Sequence, residues 1–191
     1  MQISNQISTY LVRKHIITEE YKEVVSFGME HIIVTLGNIV TFLGIGVLMN
    51  MFRETAFFLL VFASVRRYAG GYHATTRWRC FLYSTIIVGT SLFLIKYIYI
   101  NRMFYAASSL VVVSVIITNS PVEDRNKPLN VYEVYEYRKR TVFLSFAWIV
   151  LLEILTVMKQ EIFAYTVWIA LVWVAVLLVM GKCNFKGENL R

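Results

Sequence analysis

His73 and Cys80 stand seven residues apart in the stretch Arg66-Arg67-Tyr68-Ala69-Gly70-Gly71-Tyr72-His73-Ala74-Thr75-Thr76-Arg77-Trp78-Arg79-Cys80. The whole chain has only three histidines and two cysteines, so this segment concentrates its reactive side chains. Thiolate is the nucleophilic form of cysteine, and positive surroundings favour it. An imidazole can take the thiol proton and later hand a proton to a leaving amine. The pair therefore suggests a thiol catalyst, with Cys80 as nucleophile and His73 as general base and then acid. Gly70 and Gly71 would let backbone N–H groups approach an oxyanion. Arg66, Arg67, Arg77 and Arg79 are candidates to bind or support a substrate. Asn119 and Asp124 are candidates for a third member that orients His73.

Spacing constrains how such a pair can meet. On one straight helix seven residues rise about 10.5 Å, whereas proton transfer needs roughly 2.6–3.2 Å between heavy atoms. The backbone between His73 and Cys80 must therefore break. Gly70-Gly71 supplies flexibility just before His73. Thr75 or Thr76 could cap a new helix that carries Cys80 in or just after its first turn. The plain alternative is an interfacial histidine and a small apolar packing residue at the top of a span. A zinc site needs three or four ligands. His73 and Cys80 supply two, and His15, His31 and Cys183 lie on segments with no matching pattern, so neither a metal nor another cofactor is expected.

The surrounding chain is 58% hydrophobic and only 16% charged over 191 residues, with a mean hydropathy of +0.59. Soluble domains run nearer 45–50% apolar with about 25% charge. The expectation is an all-α, polytopic membrane bundle forming a single membrane domain over 1–191, with about six spans. Residues 1–28 form an amphipathic interfacial region, in which Ile3, Ile7, Tyr10 and Leu11 share a face and Thr18 could cap a second helix. The bundle covers 29–180. Its spans are expected near Met29–Met51, Thr55–Val65, Cys80–Ile100, Met103–Thr118, Thr141–Met158 and Glu161–Met180. Residues 119–140 form a polar loop and 181–191 a tail. Thr55–Val65 is too short to cross a hydrocarbon core of about 30 Å. It must either run on through Arg66–Tyr72 or stay re-entrant, and non-helical backbone at that depth needs cover from protein or water.

Charge then orients the bundle. Residues 1–28, 66–79, 119–140 and 181–191 hold fifteen of the 19 Lys and Arg. Cytoplasmic loops carry such an excess. Both termini and the His73–Cys80 segment are expected to face the cytoplasm of a bacterial cell membrane. The net charge of +7 is read as topology, and no nucleic-acid partner is expected. Two cysteines are too few for a disulfide framework, and both are taken as reduced thiols. No cleaved signal peptide is expected, because residues 1–28 lack a short apolar core ending in small residues.

At Arg66, Gly70-Gly71, His73 and Cys80 the chain resembles the AgrB family, membrane cysteine endopeptidases that process bacterial quorum-sensing propeptides. Ser120-Pro121-Val122-Glu123-Asp124-Arg125-Asn126-Lys127-Pro128-Leu129 resembles the family's polar loop. The resemblance implies that His73 and Cys80 are catalytic and that Arg66 and Gly71 match positions important for activity. It implies an AgrD-like substrate with an amphipathic N-terminal helix and an acidic C-terminal tail. Such a peptide is cut before the tail and closed by its own thiol into a thiolactone, or by a hydroxyl into a lactone. It also points to a homodimer. The alternative is a peptide exporter without proteolytic activity. An exporter would need polar residues along several spans, and here Glu153 and a few Ser and Thr are the candidates.

Overall fold

Helix follows helix in the computed structural model, which describes residues 2–72, 76–98, 100–122 and 129–188. Seven α-helices and no strand occur among the described residues. The chain packs as two compact units, residues 1–44 and 45–191.

In the first unit α1 (Gln2–Arg13) leads through a bend, where His15 has a φ of 54°, and a 3-10 turn (Glu19–Tyr21) into α2 (Lys22–Leu48). The interfacial region expected over 1–28 thus holds α1 and the start of a second helix, with a corner between them. Thr18 occupies the cap position with extended backbone, but its side chain makes no capping hydrogen bond. α1 buries the small polar residues Ser4 and Ser8 and leaves Tyr10 exposed. Ser26 Oγ of α2 donates to Asn5 Oδ1 at 2.6 Å. Turning small polar groups inward and an aromatic outward suits a helix lying at a lipid interface.

The second unit begins with the last turn of α2. It adds α3 (Phe52–Ala69), α4 (Arg77–Tyr97), α5 (Arg102–Asn119), α6 (Val131–Val157) and α7 (Glu161–Glu188). α7 is the axis, touching α3, α4, α5 and α6. Its inward stripe, Ala164, Val167, Leu171, Val174 and Leu178, is wholly buried and steps by three and four residues, as one helix face requires. Within a bilayer these side chains gain little by leaving lipid, so close packing is what they contribute. Polar links fasten the same contacts. Trp148 Nε1 donates to Ser64 Oγ at 2.9 Å, joining α6 to α3. Trp168 Nε1 donates to Ser108 Oγ at 2.9 Å, joining α7 to α5.

Five helices are long and apolar enough to cross a membrane: those over Glu19–Leu48, Trp78–Tyr97, Arg102–Asn119, Val131–Val157 and Glu161–Cys183. α3 is the short sixth. It runs on through Arg66 and Arg67 to Ala69, and its 18 residues span about 27 Å at 1.5 Å each. Its charges, Arg53, Glu54, Arg66 and Arg67, stay at the two ends, while Phe58, Val61 and Val65 are wholly buried between them. The region read as a polar loop over 119–140 is helical from Val131, ten residues before the expected start of the span at Thr141. Asn130 and Glu133 start that helix, with the Asn130 N–H donating to Glu133 Oε2 at 3.0 Å. α7 likewise continues to Glu188, into the expected tail.

Candidate active site

α3 stops because Gly70 takes φ 73° and ψ −147°, a left-handed conformation that favours glycine. The Gly70 N–H closes the helix on Arg66 O at 3.1 Å. That donor is thereby committed to the helix end and not to an oxyanion. A side chain at position 70 would run into Val122 O. Gly70 and Val122 form a parallel bridge, and the Val122 N–H donates to Ala69 O at 2.9 Å. Gly71 follows at φ 119°, where a Cβ would meet the Arg66 guanidinium and approach Leu177 O to 2.9 Å. Next, the Tyr72 N–H donates to Leu177 O on α7 at 2.8 Å. Arg66 folds back over all of this: Nη1 donates to Gly70 O and Nη2 to Tyr72 O. The loop over residues 70–72 is therefore held by α3, by the segment after α5 and by α7.

α4 restarts the helix at Arg77. Thr76 is its cap, with φ −127° and ψ 147°, and its Oγ1 accepts from the Arg79 N–H at 3.4 Å. The Cys80 N–H donates to Thr76 O at 3.0 Å, which puts the half-buried thiol in the first turn. Of the two threonines considered as caps, Thr76 fills the role, while Thr75 lies outside the described residues. His73 and Asp124 also lie outside them. Tyr72, the residue before His73, is described. Tyr72 packs edge-on against Tyr83, ring centroids 6.1 Å apart, and Tyr83 follows Cys80 by about one turn. α3 thus ends at Ala69 and α4 begins at Arg77, so Tyr72 and Cys80 are not on one continuous helix. The residue before the imidazole rests on the helix that presents the thiol.

The arginines divide by surroundings. Arg66 serves the loop itself. Arg67 lies 5.8 Å from the Tyr68 ring and Arg140 of α6 lies 5.3 Å from the same ring, while Tyr137 meets it edge-on at 5.9 Å. Cation–π and aromatic contacts so pin α3 to α6. Arg79 is exposed, and Arg77 is the first residue of α4. The first turn of α4 has no acidic residue. Basic residues there oppose the helix dipole, and they make the helix end beside Cys80 more positive. Asn119 has its amide engaged: Nδ2 donates to Val115 O at 2.8 Å, and Oδ1 accepts from Lys182 Nζ at 3.1 Å. That fastens α5 to α7. Both cysteines, Cys80 and Cys183, are free of disulfide bonds.

Sequence reasoning missed Val122, Leu177 and Gly181. Gly181 is buried on α7, and a Cβ there would lie 2.5 Å from the Tyr72 nitrogen. Its local signal is weak, because a glycine before Lys182 looks like the end of a span.

A family model described as Accessory gene regulator B matches residues 4–178. Accessory gene regulator protein B of Staphylococcus aureus (strain Newman) is 24% identical over 187 residues, which is 98% of this chain and 96% of the relative. The protein of the same name from Staphylococcus aureus (strain MW2) is 25% identical over 141 residues, 74% of this chain and 75% of its own length. A putative AgrB-like protein of Clostridium perfringens (strain SM101 / Type A) is 28% identical over 117 residues, covering 58% and 55% of the two chains. No solved structure matches the chain.

Proposed function

The chain belongs to the accessory gene regulator B family, and on that premise we propose that it is a membrane-embedded cysteine endopeptidase that cuts and cyclises a peptide precursor. Membership supports a role in the accessory gene regulator quorum-sensing system. The proposed step begins when the His73 imidazole takes the Cys80 proton. The thiolate adds to the scissile carbonyl, and a C–S bond forms. The C–N bond then breaks, and the imidazolium protonates the leaving amine. The acidic C-terminal part of an AgrD-like precursor departs, leaving a thioester on Cys80. A cysteine thiol within the precursor attacks that thioester, closes a thiolactone and frees Cys80. Water must be kept from the thioester while this happens, which favours a site at the membrane boundary. The site is proposed to face the cytoplasm, where the four arginines of 66–79 and the five basic residues of 119–140 attract an acidic tail.

One observation carries this reading. The helix breaks at Gly70–Tyr72 and restarts at Thr76, so Cys80 opens α4 while Tyr72 is packed on Tyr83. A break between the two positions is what a His–Cys pair seven residues apart needs, and the described residues on either side support that reading. The exporter alternative gains nothing from Glu153, which is exposed on α6. The test is reconstitution in liposomes with a cognate precursor, comparing the wild type with Cys80→Ser and His73→Ala. Cleavage by the wild type and its loss in both variants is the expected result. Cleavage surviving in either variant would overturn the mechanism.

A further inference from the structure

We propose that α7 carries the positioning groups of the catalytic loop, namely the backbone at Gly181 and the Leu177 carbonyl, and that Gly181 controls where His73 is delivered. This rests on the endopeptidase reading and adds residues to it that lie on α7, whereas Cys80 lies on α4. Gly181 stands three residues beyond the segment the family model matches.

The constraint at position 181 is steric first. A Cβ at position 181 would lie 2.5 Å from the Tyr72 nitrogen, 2.6 Å from the Gly71 carbonyl carbon and 2.9 Å from the Gly71 Cα. Ordinary carbon contacts sit at about 3.5–4.0 Å, so one methyl must shift the loop by about 1 Å. All three neighbours are backbone atoms and cannot rotate aside. α7 contacts four other helices and is the most buried of the candidate spans, so the loop is the part that yields. Hydrogen bonding fixes the direction. Tyr72 donates to Leu177 O at 2.8 Å, while its own carbonyl accepts from Arg66. The peptide just before His73 is thus held between α7 and α3, and bare backbone at 181 is what lets it lie there. A misplacement of about 1 Å at a catalytic group can cost about 100-fold in rate.

Two readouts test this, both in a Cys183→Ser background so that Cys80 is the sole thiol. The first is single-turnover cleavage in liposomes. The second is the rate of Cys80 alkylation by iodoacetamide against pH, which reports His73 without any substrate. Gly181→Ala is compared with Gly89→Ala, a site on α4 where an added Cβ meets nothing within 4 Å. The expected result is a 10- to 100-fold loss of the cleavage rate in Gly181→Ala with little change in KM. Its alkylation profile should move to that of His73→Ala, and Gly89→Ala should match the wild type. Should Gly181→Ala fail to fold, replacing Tyr72 by its α-hydroxy acid removes only the N–H that Leu177 accepts, and a smaller loss in both readouts is expected. Wild-type profiles for Gly181→Ala, or for the ester when the alanine variant does not fold, would overturn the proposal. So would a wild-type alkylation profile independent of His73. If the wild type alkylates in a His73-dependent way that Gly181→Ala abolishes, yet cleaves no precursor, the positioning role stands and the endopeptidase reading falls.

Discussion

Arg66 shows how one side chain can be assigned by charge and then understood by geometry. It was a candidate to bind or support a substrate, and its guanidinium reaches the carbonyls of Gly70 and Tyr72. Two carbonyls at different points need the planar fork of arginine, while a lysine offers a single point charge. Arg66→Lys is therefore expected to keep the charge, insert normally and lose about 10-fold or more in cleavage rate, since about 1 Å of disorder is costly at a catalytic group. A rate assay alongside a membrane-insertion check measures this. The helix break at Gly70-Gly71 and the new helix start before Cys80 were legible because a glycine pair and a threonine pair bracket the segment, whereas the Gly70 N–H closes α3 on Arg66 O in place of the oxyanion role expected of it. Gly181 was not legible, because its need arises from a loop that meets it only in the folded bundle. Asn119 was a reasonable candidate by type, and its amide is engaged by Val115 and Lys182 instead.

Helices carry the next level of the argument. Thr76 caps α4 through a long contact of 3.4 Å, so its contribution belongs at the low end of capping energies, about 0.5 kcal/mol. Thr76→Ala should lower unfolding free energy by about that much in a denaturant titration, and Thr76→Ser should restore it. In the bundle core, Ser64→Ala removes the acceptor for Trp148. Hydrogen bonds between helices in membranes average about 0.6 kcal/mol, and a loss of that size is expected in the same titration. Span positions were visible in the sequence, because near-continuous apolar runs of spanning length mark them. The true start of α6 was not, since hydropathy marks only where a helix enters lipid. The polar start of α6, Val131–Arg140, needs the Asn130–Glu133 pair to reveal it. α3 was ambiguous for a similar reason: its charged ends hide a helix one face of which is fully buried.

For the whole molecule, the contacts of Gly70 with Val122, Tyr72 with Leu177 and Lys182 with Asn119 bring α3, α5 and α7 together after the break, and Tyr72 packs on Tyr83 of α4 beside them. The four basic segments were grouped by counting spans, and the parts of three of them that are described do meet at one end of the second unit. If that end faces the cytoplasm, the exposed Cys183 should react with an impermeant maleimide in inverted membrane vesicles and stay unlabelled in intact cells. Labelling from outside would reverse the orientation. The central claim is that Cys80 becomes covalently joined to the precursor. It is tested most directly by intact-mass measurement of the reconstituted protein, using a precursor whose cyclising cysteine is replaced so that the acyl-enzyme persists. The account predicts an adduct equal to the N-terminal fragment on the wild type, localised to Cys80 and absent from Cys80→Ala and His73→Ala. Cleavage that proceeds without any adduct, and equally well in Cys80→Ala, would contradict it.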